Sequence, residues 1–307
     1  MSRTALVTGC SSGFGKQISE RLARRGDRVY ASMRGIAGKN SGIALELEAL
    51  AATERLDLRV LELDVGSTSS VEAAAARVVA ESGAPDVVIN NAGQMYVGIT
   101  EAFSADEFAQ QLDINVVGLH RVSRAFLPAL RRRGEGLIIN VSSTAGRVSV
   151  PFFGVYHASK WAVEGYSMAL RGELACTGVD VVVLEPGPFT TALFPNSPKP
   201  EDAEGRAKTY PAAASKAFES MGAAFEGLFK NPELPTDPGL VVDRIIELID
   251  MKAGTRPFRS VVGVDFGVRD LNSAVEPFDV ALREAMGLTS FTTLASKGDV
   301  HRSERAS

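Results

Sequence analysis

Thr4-Ala5-Leu6-Val7-Thr8-Gly9-Cys10-Ser11-Ser12-Gly13-Phe14-Gly15 is an apolar run, a glycine-rich turn and the start of a helical pattern in immediate succession. A run this short, closed at once by glycine, reads as a strand covered on both faces. The glycines let the backbone bend tightly and approach a ligand with no Cβ in the way. The helix opening near Phe14 turns its free N–H groups and positive dipole end toward the same point, which suits a pyrophosphate. A glycine turn can also serve packing alone; its place at the first strand-to-helix connection favours a nucleotide.

The same unit repeats along the chain. Strand-like runs occupy 28–33, 58–63, 86–90, 136–142 and 179–184, as in Asp86-Val87-Val88-Ile89-Asn90. Helical patterns over 14–25, 42–54, 70–82, 106–132 and 155–176 separate them. This alternation predicts a parallel sheet with right-handed crossovers, an α/β doubly wound architecture of Rossmann type. The regular pattern stops after Leu184. Residues 186–238 are rich in proline, with a weak helix near 212–230, and are too long for a plain connection. They read as a cover over a substrate, inserted after the sixth strand of a single domain. A helix at 239–252 and a strand over Arg259–Val264 follow.

Composition removes several classes of function. A chain of 307 residues, 45% hydrophobic and 23% charged, builds an ordinary well-buried globular core. The net charge of −4 points to neither nucleic acid nor an anionic membrane surface. The basic run Arg131-Arg132-Arg133, before Gly134, suits a helix C-terminus. Cys10 and Cys176 are the two cysteines, and no metal-ligand spacing is present, so no metal site is expected and a reduced, cytoplasmic setting fits. A strand already at Thr4 leaves no ordinary N-terminal signal, and no apolar run reaches bilayer length. A soluble protein is expected.

Charge at the end of the second strand speaks to the nucleotide. Doubly wound NAD enzymes usually place an acid there for the ribose 2′-hydroxyl. Here Arg28-Val29-Tyr30-Ala31-Ser32-Met33 is followed by Arg34. A guanidinium holds a 2′-phosphate by charge-assisted hydrogen bonds, so NADP(H) is the cofactor expected. A solvated arginine after a strand is the plain alternative. Asp64-Val65 after the third strand suits an adenine amino group, and Asn91-Ala92-Gly93 puts small residues where a dinucleotide crosses the sheet edge.

Tyr156 and Lys160 lie one helical turn apart and share a face. Such a pair recurs by chance, and an exposed surface pair is its ordinary reading. Context strengthens it: the pair opens the helix after a strand ending Asn140-Val141-Ser142-Ser143, and Ser143 can fold back beside the phenol. Hydride addition to a carbonyl makes an alkoxide that needs a proton, and the reverse reaction needs a base. A free tyrosine titrates near 10, and lowering it by roughly 3 units takes about 4 kcal/mol. An ammonium roughly 4 Å away at intermediate dielectric supplies about that much. Ser143 would hydrogen-bond the substrate oxygen where charge develops. His157 faces about 100° away round the helix and reads as structural; His120 and His301 show no partner pattern.

The turn Thr8–Gly15, spaced Thr-Gly-x-x-x-Gly-x-Gly, resembles the shorter-chain form of the short-chain dehydrogenase/reductase family. The resemblance runs over roughly residues 3–264 and takes in Asp64, Asn91–Gly93, Ser143, Tyr156 and Lys160 in order. It implies that Ser143, Tyr156 and Lys160 are catalytic, with Asn115 of Asp113-Ile114-Asn115-Val116 supporting the lysine through a water. It also implies that Pro186-Gly187-Pro188-Phe189-Thr190-Thr191 meets the nicotinamide carboxamide. Residues 1–264 would then be one dinucleotide-binding and catalytic domain, 265–295 a C-terminal extension and 296–307 a disordered polar tail. The 17β-hydroxysteroid dehydrogenase-like and retinol dehydrogenase-like members are similar in the Cys10-containing turn, in Val29–Arg34 and in the long cover.

The loops bordering the site add Met95, Tyr96, Val148, Val150, Phe152, Phe153, Leu193 and Phe194, and the cover adds Met221, Phe225 and Phe229. A bulky apolar ketone, aldehyde or alcohol is the substrate these imply. The family resemblance implies a homodimer or homotetramer through the helices at 106–132 and 155–176. A non-catalytic nucleotide-sensing protein of the same fold and an epimerase or dehydratase with a transient hydride are the competing readings. The first usually lacks the full Ser/Tyr/Lys set; the second usually has other glycine spacing and a larger C-terminal domain.

Overall fold

The computed structural model describes residues 2–191, 193–194, 196–298 and 300. Among them, seven parallel strands form one sheet in the order β3-β2-β1-β4-β5-β6-β7. The strands are β1 Thr4–Thr8, β2 Arg28–Met33, β3 Leu58–Glu62, β4 Val87–Asn90, β5 Gly136–Val141, β6 Val179–Pro186 and β7 Arg259–Val262. The helices are α1 Gly13–Arg24, α2 Ser41–Glu54, α3 Thr68–Ser82, α4 Ala105–Leu112, α5 Gly118–Arg133, α6 Gly154–Leu174, α7 Ala212–Lys230, α8 Gly239–Asp250 and α9 Val268–Ala285. The doubly wound expectation holds.

The continuous apolar strands follow from burial on both faces. Ala5 and Val7 of β1 pack with Ile18, Leu22, Leu47 and Ile245 of α1, α2 and α8. Leu6 and Tyr30 point the other way, to Val78, Phe126 and Leu174 of α3, α5 and α6. Strand order reverses between β1 and β4, in register Val7↔Ile89. The carboxyl ends of those strands therefore open the crevice in which ligands of such sheets bind.

Five expectations shift. The helix read over 106–132 is two helices, α4 and α5, joined by a π-helical turn at Asp113–Val117. Apolar periodicity runs through both and so hides the extra residue of the turn. Strand β6 extends two residues past Leu184, because Glu185 and Pro186 still pair with Val261 and Val262. Strand β7 stops at Val262, where Gly263 turns to φ +81°. The extension carries α9, a helix the polar and apolar mixture did not show. In the tail, Val300 is buried and Lys297 pairs with Glu135; 301–307 lie outside the described residues. No helix among the described residues is long and apolar enough to cross a membrane.

Candidate active site

The glycine turn is locked from behind. Thr8 Oγ1 accepts from the backbone N–H of Asn91 and of Ala92, both at 3.0 Å. Asn91 Nδ2 donates back to the Thr8 carbonyl at 2.8 Å. These bonds tie the ends of β1 and β4 together at the switch point. Gly9 takes φ +73°, and a Cβ there would stand 2.8 Å from Ala92 Cα, so only glycine fits. The N-cap Ser12 makes no side-chain capping bond, which leaves the first N–H groups of α1 free for an anion. Cys10 is buried against Ser19, and burial pushes its thiol up to about 12, so it is not a nucleophile.

One cavity of about 980 Å³ runs from this turn to the cover. It is lined by Gly9, Ser11, Ser12, Gly13 and Phe14, by Arg34, Asp64 and Val65, and by Asn91, Ala92 and Gly93. Ser143, Tyr156, Lys160, Pro186, Gly187, Phe189 and Thr191 continue its wall. Thr8, Gly15 and Asn115 do not line it: the first two stand behind the turn, buried. Lys39 and Asn40 do line it, at the Arg34 end. The sequence signal for Lys39 was only a second cation five residues on, and the loop had to fold back to give it meaning. Glu62 takes the N–H groups of Gly35 and Ile36 at 2.7 and 2.8 Å, which folds that loop and engages the Glu62 carboxylate.

At the other end Tyr156 and Lys160 share one face of α6, both buried. Lys160 Nζ lies 5.7 Å from the Tyr156 ring centroid and donates to the Val141 carbonyl at 2.9 Å. Ser143 Oγ donates to the Pro186 carbonyl at 3.3 Å and accepts from Ala145 N at 3.1 Å. The expectation of a phenol lowered toward neutrality does not hold in the protein by itself. Burial pushes Tyr156 up to about 12, and hydrogen bonding to Ser143 only partly opposes it. Burial likewise pulls Lys160 down to about 8, against the charge of Glu164. Desolvation is the largest cause for each group, and the ammonium's hydrogen bond goes to a backbone carbonyl.

Asn115 sits on the π-helical turn with its side chain buried. Its Oδ1 accepts from Gln94 N at 2.9 Å, and its Nδ2 donates to the Gln94 carbonyl and to Ser159 Oγ, at 2.9 and 3.0 Å. Ser159 Oγ in turn donates to the Tyr156 carbonyl at 2.7 Å. The π-helical turn thus aims Asn115 inward to join the segment after β4 to the Tyr156 helix. His157 is structural as expected. Its Nε2 accepts from Val150 N at 2.9 Å, so Nδ1 carries the proton toward the Ala145 carbonyl, 2.7 Å away.

Aromatic and apolar side chains close the cavity beside Tyr156. Met95, Val97 and Phe153 pack with Tyr156, and Phe152, Met221 and Phe225 cover them. Phe153 meets Phe194 and Phe225 at 6.5 and 6.0 Å between ring centroids. Val150, Leu193 and Phe194 line the cavity while part-exposed. Tyr96 instead turns away, stacking on Phe103 and bonding Gln110.

Residues 3–202 match the model of the family described as short chain dehydrogenase. The chain belongs to the short chain dehydrogenases. Human 17-beta-hydroxysteroid dehydrogenase type 1 is 41% identical over 198 residues, which is 63% of this chain and 59% of that enzyme's length. Human retinol dehydrogenase 8 is 33% identical over 83% of this chain and 79% of its own. In three dimensions this short chain dehydrogenase is similar to the F189W actinorhodin polyketide ketoreductase solved with NADPH. The TM-score is 0.68 at 29% identity, covering 87% of this chain and 97% of that one. The likeness to the hydroxysteroid and retinol members is thus borne out.

Proposed function

We propose that this short chain dehydrogenase uses NADP(H) to interconvert a carbonyl and an alcohol on a bulky apolar substrate. The observation that carries the reading is the single cavity joining Ser143, Tyr156 and Lys160 to the glycine turn and Arg34. NADP(H), when bound, supplies the hydride and, once oxidised, a positive ring. The turn Gly9–Phe14 and the free end of α1 would take the pyrophosphate, and Pro186, Gly187 and Thr191 the nicotinamide end. The ketoreductase relative, solved with NADPH, supports the choice of nucleotide.

Ser143 Oγ would donate to the substrate oxygen and Tyr156 Oη would pass its proton to the forming alkoxide. A phenol held at about 12 stays protonated at neutral pH, which is the form that reduction consumes. Proton loss leaves a phenolate, and the Lys160 ammonium on the same face offsets its charge. The wall of Met95, Phe153, Phe194 and Phe225 takes an apolar body of some size. NADPH oxidation against a panel of ketones and aldehydes, graded in size, tests the reading. Turnover should rise with apolar bulk; no turnover with any of them would refute the proposal.

Arg34→Asp probes the nucleotide. Arg34 and Lys39 border one end of the cavity, and a charge-assisted hydrogen bond is worth about 1.5–3 kcal/mol. The expected result is a loss of about 10- to 100-fold in kcat/KM for NADPH, with NADH unchanged or improved. An unaltered NADPH-to-NADH ratio would show that the 2′-phosphate is held elsewhere.

A further inference from the structure

Beneath the Tyr156–Lys160 face lies a buried charge cluster that no step above uses. Glu164, one turn beyond Lys160 on α6, is 2% exposed. Its Oε2 accepts from Arg259 Nε on β7 at 2.9 Å, while its Oε1 has no hydrogen-bond partner among the described residues. Glu185 of β6, fully buried, puts Oε1 3.7 Å from the same Arg259 nitrogen. Its Oε2 accepts from Asn272 Nδ2 of α9 at 2.7 Å, and Asn272 Oδ1 accepts from Arg147 Nε at 2.7 Å. Just after β5, the Ser142 hydroxyl is buried and also without a hydrogen-bond partner among the described residues. Gly146 separates the two: a Cβ there would stand 2.8 Å from Ser142 Oγ and 3.1 Å from Glu164 Cγ.

Two carboxylates therefore share one guanidinium, and a second cation, Lys160, lies buried on the same helix face. Its hydrogen bond goes to a carbonyl dipole, which cannot balance a full charge. A buried ammonium without a countercharge sheds its proton. Burial and the neighbouring Glu164 push the Glu185 carboxyl up from its ordinary range. Glu164 bonds Arg259 and stands one helical turn from Lys160.

We propose that Glu164 is the countercharge that keeps Lys160 protonated, and so a positioning residue for proton transfer by Tyr156. The inference rests on the function proposed above, but it is tested without turnover. Trace labelling with acetic anhydride, resolved at Lys160 by peptide mass spectrometry over roughly pH 6 to 10, reads the ammonium's midpoint directly. Glu164→Gln should lower that midpoint by about one pH unit, a tenfold change in the equilibrium. Glu164→Asp, which keeps the charge one methylene further off, should lower it by less than half as much and reads the same titration if the glutamine variant does not fold. In carbonyl reduction, the loss of kcat/KM in Glu164→Gln should grow with pH and be about tenfold larger near pH 8.5 than near pH 6. An unmoved labelling midpoint, or a loss of the same factor at every pH, overturns the proposal. Failure of the unaltered protein to reduce any carbonyl would instead sink the function and leave the labelling result to stand by itself.

Discussion

Tyr156→Phe should lower kcat for NADPH-dependent carbonyl reduction by about 10³-fold or more and leave NADPH affinity within about threefold. The change removes one oxygen and nothing else. The ring still packs beside Phe153, 6.4 Å between centroids, and against Met95. Lys160 keeps its bond to Val141, so the nucleotide end of the cavity is untouched. What is lost is the proton source for the alkoxide. Positioned acid catalysis contributes about 10²–10⁴-fold. Binding and rate must therefore be measured apart, by fluorescence titration of NADPH and by single-turnover reduction. Near-normal turnover with normal binding would move the proton donor to another group, with Ser143 the nearest candidate.

Where the sheet covers its strands on both faces, the sequence is transparent. Val87-Val88-Ile89 has no polar residue to break it because α-helices lie above and below, and the glycine turn marks the switch point by its position alone. Ser143, Tyr156 and Lys160 were legible because strand end, loop and helix follow one another directly. The π-helical turn was not, since Ile114 and Val117 keep the apolar rhythm while Asn115 is drawn inward by Gln94 and Ser159. Lys39 gained meaning only when Glu62 folded the loop at Gly35. One-turn spacing says that Lys160 is near Tyr156, not that its ammonium bonds the Val141 carbonyl. Glu164 and Glu185 belong to different elements, α6 and β6, and only β7 brings Arg259 between them.

Gly15→Ala should destabilise the protein by about 1–3 kcal/mol and weaken NADPH binding by more than about tenfold. Helix propensity pulls the other way, since alanine in a helix is worth about 1 kcal/mol over glycine. The sign therefore depends on space. A Cβ at Gly15 would stand 2.4 Å from the Gly9 carbonyl oxygen and 2.5 Å from Asn91 Nδ2. Neither can retreat cheaply: Asn91 Nδ2 is bonded to the Thr8 carbonyl and, at 3.3 Å, to that of Gly9, and Thr8 Oγ1 holds the N–H groups behind them. The helix has to move instead, and with it the free N–H groups that would meet the pyrophosphate. Gly222→Ala on α7 is the matched control, because nothing lies within 4 Å of its added methyl. There propensity acts without opposition and the melting temperature should hold or rise. If both variants gained stability, the close packing of α1 on the turn would be wrong, and with it the path by which one glycine shapes fold and nucleotide site together.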